Sequence, residues 1–188
     1  MRKVVALMFN YSLNGLLADE GTDFYKFCFE LLDQQGGADH DDGTLGLLRN
    51  AHAHLMGRSA YAGMSRALPG SSHPWAEVLN AGRKVVLSRT LKTADWANTS
   101  IATGDTADEI AKLRQGGDGH ILAWGGVALW RSLMKLDLLD EMHVSMQPYV
   151  ADEGTRLFDD VPHGYRLDLV RSTAKPTGVL ELHYRRHR

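Results

Sequence analysis

Short apolar runs alternate with helix-length amphipathic stretches along most of this chain. That alternation limits the fold more than any other feature. KVVALMFN (3–10), HLMG (54–57), KVVLS (84–88), GHILAW (119–124) and EMHVSMQP (141–148) read as strands, with a further short one around Asn98–Ala102. Most carry apolar or β-branched residues at successive positions, the pattern of strands covered on both faces. Between them the spacing predicts helices. Thr22 or Asp23 caps the first, which runs to about Gln35 with Phe24, Phe27, Cys28, Leu31 and Leu32 on one face. Gly-Gly at 36–37 stops it, and ADHDDG (38–43) reads as a solvated loop. Further helices are expected at Thr44–Ala51, 59–68, 75–81, behind the capping pattern Thr106-Ala-Asp-Glu109, and at Val127–Lys135.

The end of the chain changes character. YRLDLVRS (165–172) and VLELHYRR (179–186) alternate apolar and polar residues around the turn TAKPTG. This predicts an antiparallel hairpin with one buried face, through Tyr165, Leu167, Leu169, Leu180, Leu182 and Tyr184. The fold class is therefore α/β: three layers, a mostly parallel central sheet and an antiparallel C-terminal hairpin. The 188 residues suit one domain, 1–188, and show no internal repeat.

A formal net charge of -2 gives no general basis for nucleic-acid binding, and the basic tail RRHR reads as a solvated end. No apolar run approaches about 18 residues, so neither a membrane span nor a signal segment is expected, and a cytoplasmic protein is. The lone Cys28 excludes an intrachain disulfide and reads as a small buried side chain. No metal site is expected: ADHDDG has no partner ligands at a recognised spacing, and the two histidines of HAH (52–54), which could share one side of a strand, read as structural or surface residues.

ILAWGGVALW (121–130) raises a chemical question, because Gly-Gly is a poor choice for strand and helix alike. It stands where a strand ends and a helix begins. Bare backbone and unpaired first amides make such a place suited to an anion, although a tight turn needs the same residues. LMGRSAY (55–61) sets Gly57, Arg58 and Ser59 at another strand end, and KVVLSRTL (84–91) sets Ser88, Arg89 and Thr90 at a third. Arginine forks match phosphate in bidentate fashion. Neither G-x-G-x-x-G nor G-x-x-x-x-G-K-[ST] occurs, so a nucleotide here would not be held by a Rossmann or P-loop fingerprint.

With SLNGLLA (12–18), LMGRSAY, KVVLSRTL, ILAWGGVALWRSLMKLDLLDEMHVSMQP (121–148) and GTRLF (154–158) in that order, the chain resembles the dihydrofolate reductase-like superfamily, nearest the RibD C-terminal type of riboflavin biosynthesis. The resemblance implies an NADPH-dependent reductase and a cis Gly125–Gly126 bond. By residue, it implies that Gly125, Gly126, Val127, Ala128 and Leu129 line the pyrophosphate. Gly57, Arg58 and Ser59 would hold phosphates near the adenosine. Ser88, Arg89 and Thr90 would take the 2′-phosphate. Leu17 and Ala18 would meet the carboxamide, and Trp124 would flank the nicotinamide unless it is core. Asn14 replaces the usual Asp of S-L-D-G, and Ala60 removes a hydroxyl from G-R-x-T.

The implied reaction is hydride transfer to a C=N or C=O bond of a heterocyclic or ribosylaminopyrimidine-type substrate, foremost 5-amino-6-(5-phosphoribosylamino)uracil. The zinc-deaminase signature is absent, so a stand-alone reductase is expected. A second reading is dihydrofolate reduction, with Asp23 as the acid on the first helix and Arg83 on a folate carboxylate. Asp23 would then need a raised pKa. A third is a non-catalytic nucleotide- or flavin-binding protein. A homodimer is implied as well.

Overall fold

The computed structural model describes residues 1–35, 42–161 and 164–188. In chain order the strands are β1 (Val4–Ser12), β2 (Leu16–Leu17), β3 (Ala51–Gly57), β4 (Lys84–Leu87), β5 (Thr99–Ala102), β6 (His120–Ala123), β7 (Glu141–Gln147), β8 (Thr155–Arg156), β9 (Leu167–Ala174) and β10 (Leu180–Arg186). The helices are α1 (Asp23–Gln35), α2 (Asp42–Arg49), α3 (Arg58–Ala67), α4 (Pro74–Ala81), α5 (Thr106–Arg114) and α6 (Val127–Lys135).

All ten strands join one sheet in the order β5–β4–β3–β6–β1–β7–β10–β9, with β2 against β1 and β8 against β2. The pairs from β5 to β7 are parallel, and β10 and β9 add antiparallel strands at the far edge. Alternate residues of β1 explain the layers. Val4, Ala6 and Met8 face a core with Leu55, Ile121, Leu129, Trp130 and Leu133, so α6 lies on that side. Val5 and Leu7 face a second core with Leu48, Met56, Tyr61 and Leu79, which brings α2, α3 and α4 to the other side. Burial on both faces is why these strands carry so few polar alternates.

The connections reverse between β3 and β6. From β3 the chain moves outward through α3 to β4, whereas from β6 it moves through α6 to β7, beyond β1. Ligands of open α/β sheets bind beyond the strand carboxyl ends at such a reversal. Gly57 ends β3, and Gly125 lies just past β6.

Several local expectations need correction. Asp42 and Gly43 begin α2 rather than closing a loop, and α2 stops at Arg49, leaving 51–57 to β3. Gly36-Gly37 and most of ADHDDG lie outside the described residues. Thr22 caps α1, its hydroxyl accepting the Tyr25 amide at 3.1 Å, so Asp23 is the first helical residue. Thr106 caps nothing: Asp105 holds the cap position of α5, without a side-chain cap bond. The terminal hairpin is less covered than its alternation implies. The β9–β10 register slips by one residue between His183 and Tyr184, and Leu169 and Leu180 stand 55% and 36% exposed.

Candidate functional site

Three helices begin at one place. The first residues of α3 (Arg58, Ser59), of α5 (Thr106) and of α6 (Ala128, Leu129) line a single cavity of about 500 Å³, closed by Gly57, Leu87, Gly126 and Ser132. None of the three helix starts has a side-chain cap bond. At α6 the Leu129 and Trp130 amides both donate to the Gly126 carbonyl, at 2.9 and 3.2 Å. Among the described residues nothing takes the Val127 and Ala128 amides. Each helix start also carries the positive end of a backbone dipole. The cavity thus has a geometry suited to an anion, before any side-chain charge is counted.

The glycines make the approach close. The Gly125–Gly126 peptide is cis. The Gly57 amide donates to the Gly125 carbonyl at 2.6 Å, tying the ends of β3 and β6 together. A Cβ on Gly126 would stand 2.5 Å from the Ser59 hydroxyl, and one on Gly57 would stand 3.4 Å from the Gly125 carbonyl. Gly125 has φ +97, and a Cβ there would meet the Trp130 ring at 2.8 Å.

Positive charge is held loosely at the rim. Arg58 donates to the Thr90 hydroxyl at 3.0 Å. Ser88 accepts from the Thr90 and Leu91 amides at 3.3 and 3.0 Å, fixing the turn after β4. Arg89 meets Asp105 at 2.6 Å, with both side chains largely in water. Such a pair contributes little and is readily exchanged for a stronger anion.

Gly57, Arg58, Ser59, Gly126, Ala128 and Leu129 are therefore brought together as the sequence implies, with Gly125 and Val127 adjoining them in the same turn. Ser88, Arg89 and Thr90 stand on the neighbouring β4 turn. The sequence reading missed Leu87, Thr106 and Ser132. Ser132 was within reach, since it follows Ala128 by four residues and so shares its helix face.

Other expected residues lie outside the lining of this cavity. Trp124 is core: it packs edge-on against Trp75 at 5.9 Å, and its Nε1 donates to His54 Nδ1 at 3.1 Å. Leu17 is buried in the sheet core, and the Ala18 amide is already bonded to the Asn10 carbonyl at 3.0 Å. Asp23 is 82% exposed and ion-paired with Lys26 at 2.7 Å, which holds its carboxyl below the usual range. That is opposite to the raised pKa a proton donor there would need. The face of α1 turned to the protein carries Phe24 and Cys28, with Phe24 stacked on Tyr149 at 5.0 Å. Burial pushes the Cys28 thiol up to about 12, so it is inert packing. Arg83 precedes β4 and so stands at the amino edge of the sheet, away from the cavity, where its Nη1 lies 3.1 Å from His52 Nε2.

A sequence profile of the RibD C-terminal domain matches residues 3–180. The chain belongs to the RibD C-terminal domain family. Among curated proteins it is 29% identical over 152 residues to the uncharacterized protein YyaP of Bacillus subtilis, covering 78% of this chain and 80% of that one. A protein from Shewanella sp. PV-4 named for riboflavin biosynthesis superposes with a TM-score of 0.78 at 21% identity, over 100% of both chains. Dihydrofolate reductase from Enterococcus faecalis, solved with NADP(H), gives a TM-score of 0.59 at 15% identity, over 99% of this chain and 97% of that one. The sheet is thus that of the dihydrofolate reductase-like fold. No helix among the described residues is long and apolar enough to cross a membrane.

Proposed function

We propose that this protein is an NADPH-dependent reductase acting on a planar heterocycle of the ribosylaminopyrimidine kind. The observation that carries the reading is the convergence of three uncapped helix starts on one glycine-lined cavity. Family membership and the solved relative with NADP(H) support it.

The residues present fit such a cofactor. Its pyrophosphate would lie against the bare backbone of Gly57 and Gly126, where a side chain would obstruct it. The Val127 and Ala128 amides would donate to it. Arg58 would neutralise a neighbouring phosphate. Arg89, released from Asp105, would take a 2′-phosphate with Ser88 and Thr90, which favours NADPH over NADH. When bound, NADPH supplies a hydride for a C=N or C=O carbon. The chain's own part is to orient both partners and exclude water. Asp23, solvated and paired with Lys26, is not placed to give a proton, so on this reading proton delivery falls to solvent.

The substrate class rests on aromatic surface at the same edge. Phe9, near the end of β1, meets Phe29 at 6.3 Å and Trp75 at 5.8 Å, all three partly open to solvent. Their faces suit a flat ring. The solvated Asp23 and remote Arg83 argue against a folate. The exposed Leu169, Val170 and Leu180 support a homodimer through the terminal hairpin, which sedimentation would test.

The test is NADPH oxidation with 5-amino-6-(5-phosphoribosylamino)uracil and, separately, dihydrofolate. Turnover with the pyrimidine and none with dihydrofolate is expected. The reverse preference would transfer the protein to the folate reading.

A further inference from the structure

A second cluster stands apart from the cleft, at the amino end of β7. Its pieces come from two antiparallel strands in direct register, His143 of β7 opposite His183 of β10. The two imidazole rings stack with centroids 4.1 Å apart and 22° between planes. Glu141 precedes His143 by two residues and so projects from the same face of the sheet. Its Oε2 lies 3.2 Å from His183 Nε2. One ligand atom from each of the three falls within 4.8 Å of the others.

We propose that Glu141, His143 and His183 form a binding site for a divalent transition metal, with zinc the leading occupant. Two imidazoles and one carboxylate make a nitrogen-rich donor set. Such a set suits Zn²⁺, Co²⁺, Ni²⁺ or Cu²⁺, whereas Mg²⁺ and Ca²⁺ take oxygen ligands. Ligands bound at about 2.0–2.1 Å in a tetrahedron stand roughly 3.3 Å apart, so small side-chain rotations close the present cluster around an ion. Three protein ligands leave the fourth position to water.

Three details favour a site over an incidental contact. Glu141 is fixed from behind: its Oε1 is held by Lys3 Nζ at 2.6 Å, which leaves Oε2 turned to the histidines. Outer-shell support of that kind orients a metal-binding carboxylate. Glu141 and His183 are 13% and 24% exposed, shielded yet reachable by an ion. Among the described residues neither ring nitrogen of His143 has a hydrogen-bond partner, so its stack on His183 leaves a donor atom free. No residue of this cluster lines the glycine cavity. The occupant would clip the terminal hairpin to the parallel sheet.

The experiment is a zinc titration of the metal-stripped chain, carrying no added histidines, against a competing chromophoric chelator. One zinc per chain is expected, in the micromolar range or tighter, with a higher melting temperature. His143→Ala, His183→Ala and Glu141→Gln should each weaken binding by at least about 10-fold, since losing an outer-shell partner alone costs about 10- to 100-fold. Arg58→Ala should leave zinc binding unchanged, which separates this site from the nucleotide reading. Should the histidine variants fold poorly, Co²⁺ on the unaltered chain gives a second readout: intense visible ligand-field bands of a tetrahedral site support the proposal. Octahedral-like weak bands, no zinc bound below about 100 µM, or full binding in folded His143→Ala/His183→Ala would overturn it.

Discussion

Two glycines in contact across the ends of β3 and β6 should respond to alanine in opposite ways. At Gly57 the backbone is extended, with φ -80 and ψ 168, which alanine adopts freely. The new Cβ would make ordinary contacts, 3.4 Å to the Gly125 carbonyl and the Gly126 nitrogen and 3.7 Å to Leu129 Cβ. Loss of chain entropy in the unfolded state even favours alanine by about 0.4–1 kcal/mol. Gly57→Ala should therefore fold with stability within about 1 kcal/mol of the parent. Its methyl group would nevertheless enter the cavity wall where a phosphate must approach, and NADPH affinity should fall at least about tenfold, or about 1.4 kcal/mol. At Gly125, φ is +97 and the Cβ would stand 2.8 Å from two Trp130 ring atoms. That ring is buried, and its Nε1 is tied to the Ala123 carbonyl at 3.2 Å, so it cannot swing aside. Left-handed backbone costs a non-glycine residue about 1–3 kcal/mol and overpacking a further 1–3. Gly125→Ala should thus lose about 2–5 kcal/mol. Urea unfolding and NADPH fluorescence titration on both variants measure these quantities. Equal destabilisation of the two, or unchanged NADPH binding in Gly57→Ala, would refute the division of roles.

Other variants probe the remaining parts. Removing a charge-assisted phosphate contact costs about 1.5–3 kcal/mol, so Arg58→Ala should weaken NADPH by roughly 10- to 150-fold, less at high salt. Arg89→Ala should act on NADPH and spare NADH, read from the ratio of the two dissociation constants. Asp23→Asn should leave turnover unchanged, and a large fall in kcat would restore Asp23 as an acid. Burial, then the charges of Lys84 and His120, lower the His54 pKa to about 4. The unfolded ring takes its proton near pH 6.5, the folded ring only near pH 4. Stability from this group is whole above pH 6.5 and falls toward pH 4, by on the order of 3 kcal/mol. Urea midpoints across that range should show the slope, and His54→Leu should flatten it.

The parallel core was legible because strands covered on both faces leave a dense apolar signal, as in KVVALMFN and GHILAW. The start of α6 was legible because Gly-Gly between strand and helix is costly without a reason. What escaped the sequence depends on distance in space. Arg83 lies beside His52, away from the cavity, a neighbour from β3 that no spacing in the sequence reveals. Thr106 reads as a cap from its neighbours, yet it lines the cavity because α5 packs beside α6. His143 and His183 meet through the β7–β10 register, which no local spacing reveals. The hairpin's alternation overstated its burial because β9 is the edge strand, and Leu169 on it and Leu180 on its neighbour β10 stay exposed.

The most direct test of the central claim is titration of the purified protein with NADPH and with NADH, followed by nucleotide fluorescence, beside Arg89→Ala. Micromolar NADPH affinity, NADH weaker by at least about tenfold, and loss of that discrimination in Arg89→Ala are predicted. Binding of neither nucleotide, or equal affinity for both in the unaltered protein, would contradict the account.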